Sequence, residues 1–571
     1  MAVNMLFHYF FLLFLCGKLT LASEGTFWQI TDIHLDADYS ETGDVSIKCH
    51  NGNNSTSGNI GHFGNFSCDS PWSLVQSAIS AMKDIEDDPD FILWTGDNVA
   101  HLKENQLNWA KVYSNLENIT DLLMTNFPHS TIIPVIGNHD AYPANSFPTD
   151  NVKSIYQGYL SKGKFNLLIP PEATSTFLQG GYYEISLTSK LNILVLNTNF
   201  YLTYNTNQSS EEDPTGQLAW LRHRLKLAQE KNISIIIAAH VPPGYFERVA
   251  AIPFMDQHFN NMLVDLLVNY SSIILTQIYG HTHTDSFRFF LSRSGKPKSH
   301  GFIAPSISPW GIPLSGMNGI NPSLRLYKYS EENRMVLDYD QYFMNLTKAN
   351  NGTNVVQKIT EETIDSLNDE VTSDININDA PNSTFEEDES MSKQYAISRN
   401  GILVKWEHSY RATEFYGVKN LSLSSLEKIY SDLVQNKTVF DNYYRMNTAG
   451  VPSDSCDETC FQTQKCVIRY LKTCAFNKCF NKMNHTTKDS SRVVNSLDNA
   501  KTTEDFVSIE PPDGSHSNHH RHHISATVTY VILGFAIGLL ISLIVVATYF
   551  VRRYRFRANY RYKRHFSSVQ S

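Results

Sequence analysis

From Thr26 to about Leu346, short runs that are apolar at nearly every position alternate with stretches of helical periodicity. The runs Phe27–Ile30, Phe91–Trp94, Thr131–Ile136, Asn192–Leu196, Ser234–Ala238 and Ser271–Ile278 predict strands. Several lack any polar alternation, which is the pattern of strands covered on both faces. Between them Ser73–Glu86, Gln106–Asn118, Gly216–Lys231 and Gln257–Asn269 repeat their apolar positions at helical spacing. Strands and helices in this alternation predict an α/β sandwich.

The two ends of the chain carry apolar runs of other lengths. Leu6–Leu15 is short, and small residues follow near Ala22 and Ser23. That layout predicts a secretory signal over residues 1–23, although no Lys or Arg precedes Leu6; an uncleaved anchor is the alternative. Val528–Val551 is uncharged and long enough to cross a bilayer, and Arg552, Arg553, Arg555 and Arg557 follow it directly. The expectation is one transmembrane helix over 527–551 and a basic cytosolic tail over 552–571. This would make the chain a single-pass type I protein with its catalytic part at the cell surface, or in the endolysosomal lumen. Gly534 and Gly538 form a GxxxG pair that either packs against a second helix or faces lipid.

Residues 348–393 change character, becoming acidic and poor in aromatics, and are expected to be a disordered insertion. Order is expected to return over 394–480, with a juxtamembrane stalk over 481–526. His516, His519, His520, His522 and His523 lie in that stalk, where they are either solvated or a weak metal site.

Composition narrows the class. With 571 residues, 42% hydrophobic and 18% charged, the chain is of ordinary globular make-up with room for more than one domain. Its net charge is −10, and the last stretch holds basic residues without acids, so the remainder is more acidic still. An acidic body argues against a nucleic-acid duplex as partner and is neutral towards small phosphorylated ligands. Sequons occur throughout, among them Asn65, Asn118, Asn232, Asn269, Asn345, Asn420 and Asn436, and their density predicts a glycosylated surface. Cys49 and Cys68 bracket a Gly/Asn/Ser-rich loop, while five cysteines crowd between Cys456 and Cys479. Outside the cytosol these are disulfide candidates, and an odd number leaves one thiol over.

The chemistry sits just after the strands. In order come Asp32-x-His34, Gly96-Asp97-Asn98, Gly137-Asn138-His139-Asp140, Ala239-His240-Val241 and Gly280-His281-Thr282-His283. The carboxyl ends of strands in open α/β sheets converge on the ligand crevice. Imidazoles, carboxylates and an amide oxygen suit zinc and similar ions. A carboxylate such as Asp97 is able to bridge two metals about 3.5–4 Å apart, which together activate a water as nucleophile. Any one motif occurs by chance in structural settings; five in order do not.

This ordered set resembles the calcineurin-like metallophosphoesterase superfamily and, within it, the acid sphingomyelinase-like phosphodiesterases. The closer likeness rests on FWQITDIHLDADYS, WTGDNVAH, IPVIGNHDAYPANSFP, ILVLNTNFY, AAHVPPGYFE and YGHTHTDSFR, and resumes with WEHSYRATEFYGV. The resemblance implies a β-sandwich flanked by helices over 24–347 and a small disulfide-stapled helical subdomain over 394–480. It implies two Zn²⁺ ions, one held by Asp32, His34, Asp97 and His283, the other by Asp97, Asn138, His240 and His281. It gives His101 and His139 the roles of contacting the phosphate and protonating the leaving group. It also implies disulfides Cys49–Cys68, Cys456–Cys460 and Cys466–Cys479, with Cys474 spare. Ala100 stands where the purple acid phosphatases have their tyrosine, so an iron-tyrosinate site is not expected. Trp28 follows almost directly on the predicted signal, leaving no room for the saposin-like module of true acid sphingomyelinases. The expected substrate is therefore a small extracellular nucleotide or nucleotide-choline phosphodiester or pyrophosphate. Sphingomyelin is the alternative, and an inactive surface-binding protein is a third reading. The pattern does not define an oligomeric state.

Overall fold

The computed structural model describes residues 24–481 apart from 53–58, 149–151, 207–211, 249–251, 312–315, 353–354, 359–394, 398–401 and 454. Three strands with parallel pairing open the chain: β1 (Glu24–Ile30), β2 (Phe91–Trp94) and β3 (Thr131–Pro134). A hairpin of β4 (Tyr183–Ser186) and β5 (Leu191–Leu196) leads to β6 (Ser234–Ala239) and β7 (Ile274–Tyr279), which continue parallel from β5. Then come β8 (Ser286–Leu291), β9 (Pro297–Ile303), β10 (Ser323–Ser330) and β11 (Met335–Phe343). Four short strands follow: β12 (Val355–Lys358), β13 (Tyr395–Ile397), β14 (Ile402–Lys405) and β15 (Glu407–Arg411).

These strands form two six-stranded sheets, ordered β15-β11-β10-β1-β2-β3 and β4-β5-β6-β7-β9-β8, and a three-stranded sheet ordered β12-β14-β13. Every residue of β2, β5, β6 and β7 is buried, which explains their unbroken apolar runs. The large sheets meet through aromatics: Phe302 of β9 lies 5.9 Å from both Tyr327 of β10 and Tyr339 of β11. Gln29 also crosses between them, donating from Nε2 to the Tyr279 carbonyl at 2.8 Å.

The predicted elements sit close to where their patterns put them. The helix expected at Gln106–Asn118 runs instead over Trp109–Asn126. Asn108 caps it by accepting from the Lys111 N–H, and Ile119, Thr120 and Leu123 extend its buried stripe past the expected end. The stretch expected to be a disulfide-stapled helical subdomain holds five helices between Ala412 and Phe480, and it also contributes β15 to the edge of the first large sheet. Trp406, fully buried, donates from Nε1 to Ser77 Oγ at 3.0 Å and ties this stretch to the helix Trp72–Ile85.

Three disulfides are present, Cys49–Cys68, Cys456–Cys460 and Cys466–Cys479, and Cys474 is free and exposed. None of the seven sequon asparagines named above is buried. The signal, the stalk with its histidines, the Gly534/Gly538 pair and the basic tail lie outside the described residues, as does most of the acidic insertion.

One expectation is corrected. No helix among the described residues is long and apolar enough to cross a membrane. The longest of them, Trp109–Asn126, carries Lys111, Glu117 and Asp121 on its outer side. Val528–Val551, on which the single-pass cell-surface placement rested, is not among the described residues.

Candidate metal centre

Each candidate ligand leaves the carboxyl end of a strand: Asp32 and His34 after β1, Asp97 after β2, Asn138 and His139 after β3, His240 after β6, and His281 and His283 after β7. The first three strands belong to one large sheet and the last two to the other, so the site lies where the two layers meet. Asp32, His34, Asp97, His281 and His283 all have positive φ, between 43° and 75°. Such backbone is costly for non-glycine residues, and its clustering here marks a place where position outweighs local comfort. Gly96 and Gly280 let the loops close up. A Cβ on Gly96 would lie 2.6 Å from the Gly137 nitrogen, and one on Gly280 would lie 2.1 Å from Thr31 Oγ1.

The donor atoms converge in two groups, Asp32 with His34 and His283, and Asp97 with His240 and His281. His34 Nε2 lies 3.0 Å from His283 Nε2, and His283 Nε2 is 3.5 Å from Asp32. In the second group Asn138 Oδ1 is 2.7 Å from His281 Nδ1 and 3.0 Å from His240 Nε2, which in turn is 3.2 Å from Asp97. Asp97 Oδ2 is also 3.6 Å from His34, so this carboxylate reaches both groups.

The second hydrogen-bond layer orients these rings. His34 Nδ1 donates to the Val99 carbonyl and His240 Nδ1 to the Thr95 carbonyl, both at 2.8 Å. These bonds fix a proton on Nδ1 and turn Nε2 of each ring inward, free to bind once that nitrogen carries no proton. His34 Nε2 and His283 Nε2 face each other 3.0 Å apart, an arrangement that a shared cation satisfies. The residues therefore fit a two-metal centre. Asp140 ties the loops together by accepting from the Asp97, Asn98 and Gly137 N–H groups. Asp32 accepts from the His281 N–H at 3.0 Å and so links the two sheets at the site.

Burial lowers His34 and His281 well below the usual imidazole value and keeps them neutral, the form that binds metals. Burial opposes charge on His240 too, but Asp97 and Asp32 raise it to about 9. Burial would likewise raise Asp97, yet His240 and His139 hold it well below the carboxylate range. Asp32 is raised by burial.

His101 and His139 stand beside this centre, their rings 4.3 Å apart, with a nitrogen of each grouped with one of His34. The sequence reading missed the partner of His101. Asp69 accepts from His101 Nδ1 at 3.0 Å and from its backbone N–H at 2.9 Å. Asp69 follows Cys68 directly, and that adjacency to a disulfide cysteine was its one signal. Tyr204 was missed as well; its hydroxyl oxygen lies 2.8 Å from His281 Nε2, across the ring from the inward Nδ1.

The calcineurin-like phosphoesterase family matches residues 25–285, which hold all nine of these candidate metal-binding and catalytic residues. The acid sphingomyelin phosphodiesterase C-terminal region matches 391–486. Acid sphingomyelinase-like phosphodiesterase 3b of Homo sapiens is 31% identical over 470 residues, 80% of this chain and 90% of that protein. Sphingomyelinase phosphodiesterase C of Dictyostelium discoideum is 32% identical, covering 80% of this chain and 92% of its own. A cyclic GMP-AMP phosphodiesterase of Bos taurus is 30% identical, covering 80% and 90%. These relatives are matched over nearly their whole length by part of this chain. From that coverage, the chain belongs to the acid sphingomyelinase-like phosphodiesterases of the calcineurin-like phosphoesterase family, and is a metal-dependent phosphodiester hydrolase.

Proposed function

We propose that this enzyme uses two zinc ions to hydrolyse phosphodiester or pyrophosphate bonds in nucleotides and related small molecules. The observation that carries the reading is the convergence of seven zinc-type donors with an adjacent pair of histidines at one end of two sheets. The donor set, rich in imidazole with two carboxylates, favours zinc over the harder oxygen-seeking ions. Asp32, His34, Asp97 and His283 would hold one ion and Asp97, Asn138, His240 and His281 the other. When bound, such a pair supplies Lewis-acid activation of the phosphoryl group and of water.

The remaining work falls to the chain itself. Asp69 remains ionised, held well below the carboxylate range despite burial by His101 and Lys48. It fixes His101 through Nδ1, leaving Nε2 to meet a phosphoryl oxygen. Burial pushes His101 down to about 3 and lowers His139, so both rings rest neutral. An arriving anionic diester favours their protonated forms, and a protonated His139 then donates to the departing oxygen. A diester needs that proton because an alkoxide leaves poorly.

The cyclic GMP-AMP phosphodiesterase among the relatives supports a nucleotide-type substrate. A relative named for sphingomyelin keeps the lipid as the second reading. The test is hydrolysis of ATP and CDP-choline against sphingomyelin in detergent micelles, with and without chelator and zinc re-addition. Zinc-restored turnover favouring the nucleotides is the expected result. Preference for sphingomyelin would replace the substrate reading, and restoration only by another metal would replace zinc.

A further inference from the structure

Beside the histidine pair stands a lysine–tryptophan pair that takes no part in the proton transfers of hydrolysis. The Trp310 ring lies 4.1 Å from that of His101 and 6.4 Å from that of His283. The ammonium of Lys48 sits over the Trp310 ring, 3.9 Å from its centre. Lys48 thus lies within two ring-stacking distances of His101, the reach of a neighbouring phosphate.

Lys48 is held there by construction. It adopts left-handed backbone at φ 62°, and Cys49 next to it at φ 63°. The Cys49–Cys68 disulfide then joins the Lys48 turn to Asp69, the partner of His101. The Cys49 N–H donates to the Asp44 carbonyl at 2.8 Å, and its own carbonyl accepts from the Ser40 N–H at 2.9 Å. The one covalent staple of the amino-terminal loop therefore fixes a lysine and a catalytic-side carboxylate together.

The Lys48 ammonium has no ion-pair partner of its own among the described residues, although Asp69 and Asp36 lie near enough to favour its charge. The nearby acids are committed elsewhere: Asp69 to His101, and Asp36 to His50 at 2.7 Å. Among the described residues Lys48 forms no ion pair, and its ammonium rests on the Trp310 ring. An aromatic face is the surface a quaternary ammonium seeks, but here a cation already occupies it. A choline group would meet repulsion from Lys48, whereas a phosphate would meet attraction, and an aromatic base would find the ring to stack on.

We infer that Lys48 and Trp310 form a subsite for a second phosphate on the substrate, selecting pyrophosphate-linked or dinucleotide esters over phosphocholine diesters. This rests on the nucleotide reading above and names the feature that enforces it.

The experiment compares kcat/KM for ATP with that for bis(p-nitrophenyl) phosphate, which has a single phosphate, using the full chain with zinc. The ratio between the two substrates cancels any loss of folded enzyme. In Lys48→Gln the ratio falls about tenfold, as expected for one charge-assisted contact, with the change in KM for ATP. Lys48→Arg retains most of the ratio, and Trp310→Leu lowers it. A 5′-phosphorylated linear dinucleotide in place of ATP tells whether the second phosphate is read across an anhydride or across a nucleoside. Affinity for α,β-methylene-ATP, measured by calorimetry, follows the same order without turnover. An unchanged ratio and affinity in Lys48→Gln, or an equal fall on both substrates, would overturn the subsite. Wild-type preference for sphingomyelin over ATP would instead remove the nucleotide reading, and the ratio and affinity would still judge Lys48.

Discussion

Two clusters of charge are buried equally deeply in this protein and are built on opposite plans. In one, Glu247 is bonded to Arg288 at 2.5 Å and Asp285 to Arg325 at 2.6 Å, all four side chains nearly or wholly out of solvent. Each acid there has its own guanidinium, and Thr284 and Tyr410 donate further hydrogen bonds. In the other, Asp32 and Asp97 face imidazoles, two of which, His34 and His240, spend their outer nitrogens on carbonyls. Burying a charge without a partner is expensive, so the first cluster is self-contained and the second is complete only with cations. The first also fastens the loop that follows His240: Gln464 donates to the Glu247 carbonyl at 3.0 Å, and Arg248 packs over the Tyr444 ring at 4.1 Å. One cluster is therefore architecture and the other chemistry.

The sharpest way to break the contrast is to remove one acid from the chemical cluster. Asp97→Ala should lower kcat/KM by about ten-thousandfold, roughly 5.5 kcal/mol, with loss of bound metal by elemental analysis and little change in urea midpoint. The reverse pattern is expected for Arg288→Ala, which leaves Glu247 buried and unpaired. It should cost about 3–5 kcal/mol in denaturant unfolding, with metal per folded molecule retained. If Arg288→Ala instead emptied the metal site, the two clusters would not be separable.

Between these lies His139→Ala, expected to reduce kcat by about a hundred- to a ten-thousandfold while metal content stays constant. Equal loss of both would make His139 structural. Asp69→Asn should reduce activity about ten- to a hundredfold, as for groups that orient a functional histidine, and should shift the pH profile. The smallest effect concerns protons. His240 is raised to about 9 by Asp97 and Asp32, and a bound metal must displace that proton. Metal affinity should therefore weaken by about tenfold for each pH unit below 9, read by competition with a chelator. A pH-independent affinity would mean that His240 is not a ligand.

The sequence by itself marked six of the strands and the candidate donors that follow them. β2 and the helix Gln257–Asn269 lie where the apolar pattern put them, and the donors follow strand ends, because burial on both faces and the reach of a strand-end loop are local properties. It also implied the cysteine pairing, through family likeness. It did not determine the partner of His101, the cation on Trp310 or the Arg–carboxylate pairs. Asp69 and His101 are 32 positions apart, and Arg288 and Glu247 are 41 apart. No periodicity connects such residues; only the order of strands within each sheet and the closing of the Cys49–Cys68 loop bring them together. Which residues are able to hold a metal was written in the strand ends, and which charges need one was decided by the tertiary fold, because only burial makes an unpaired charge costly.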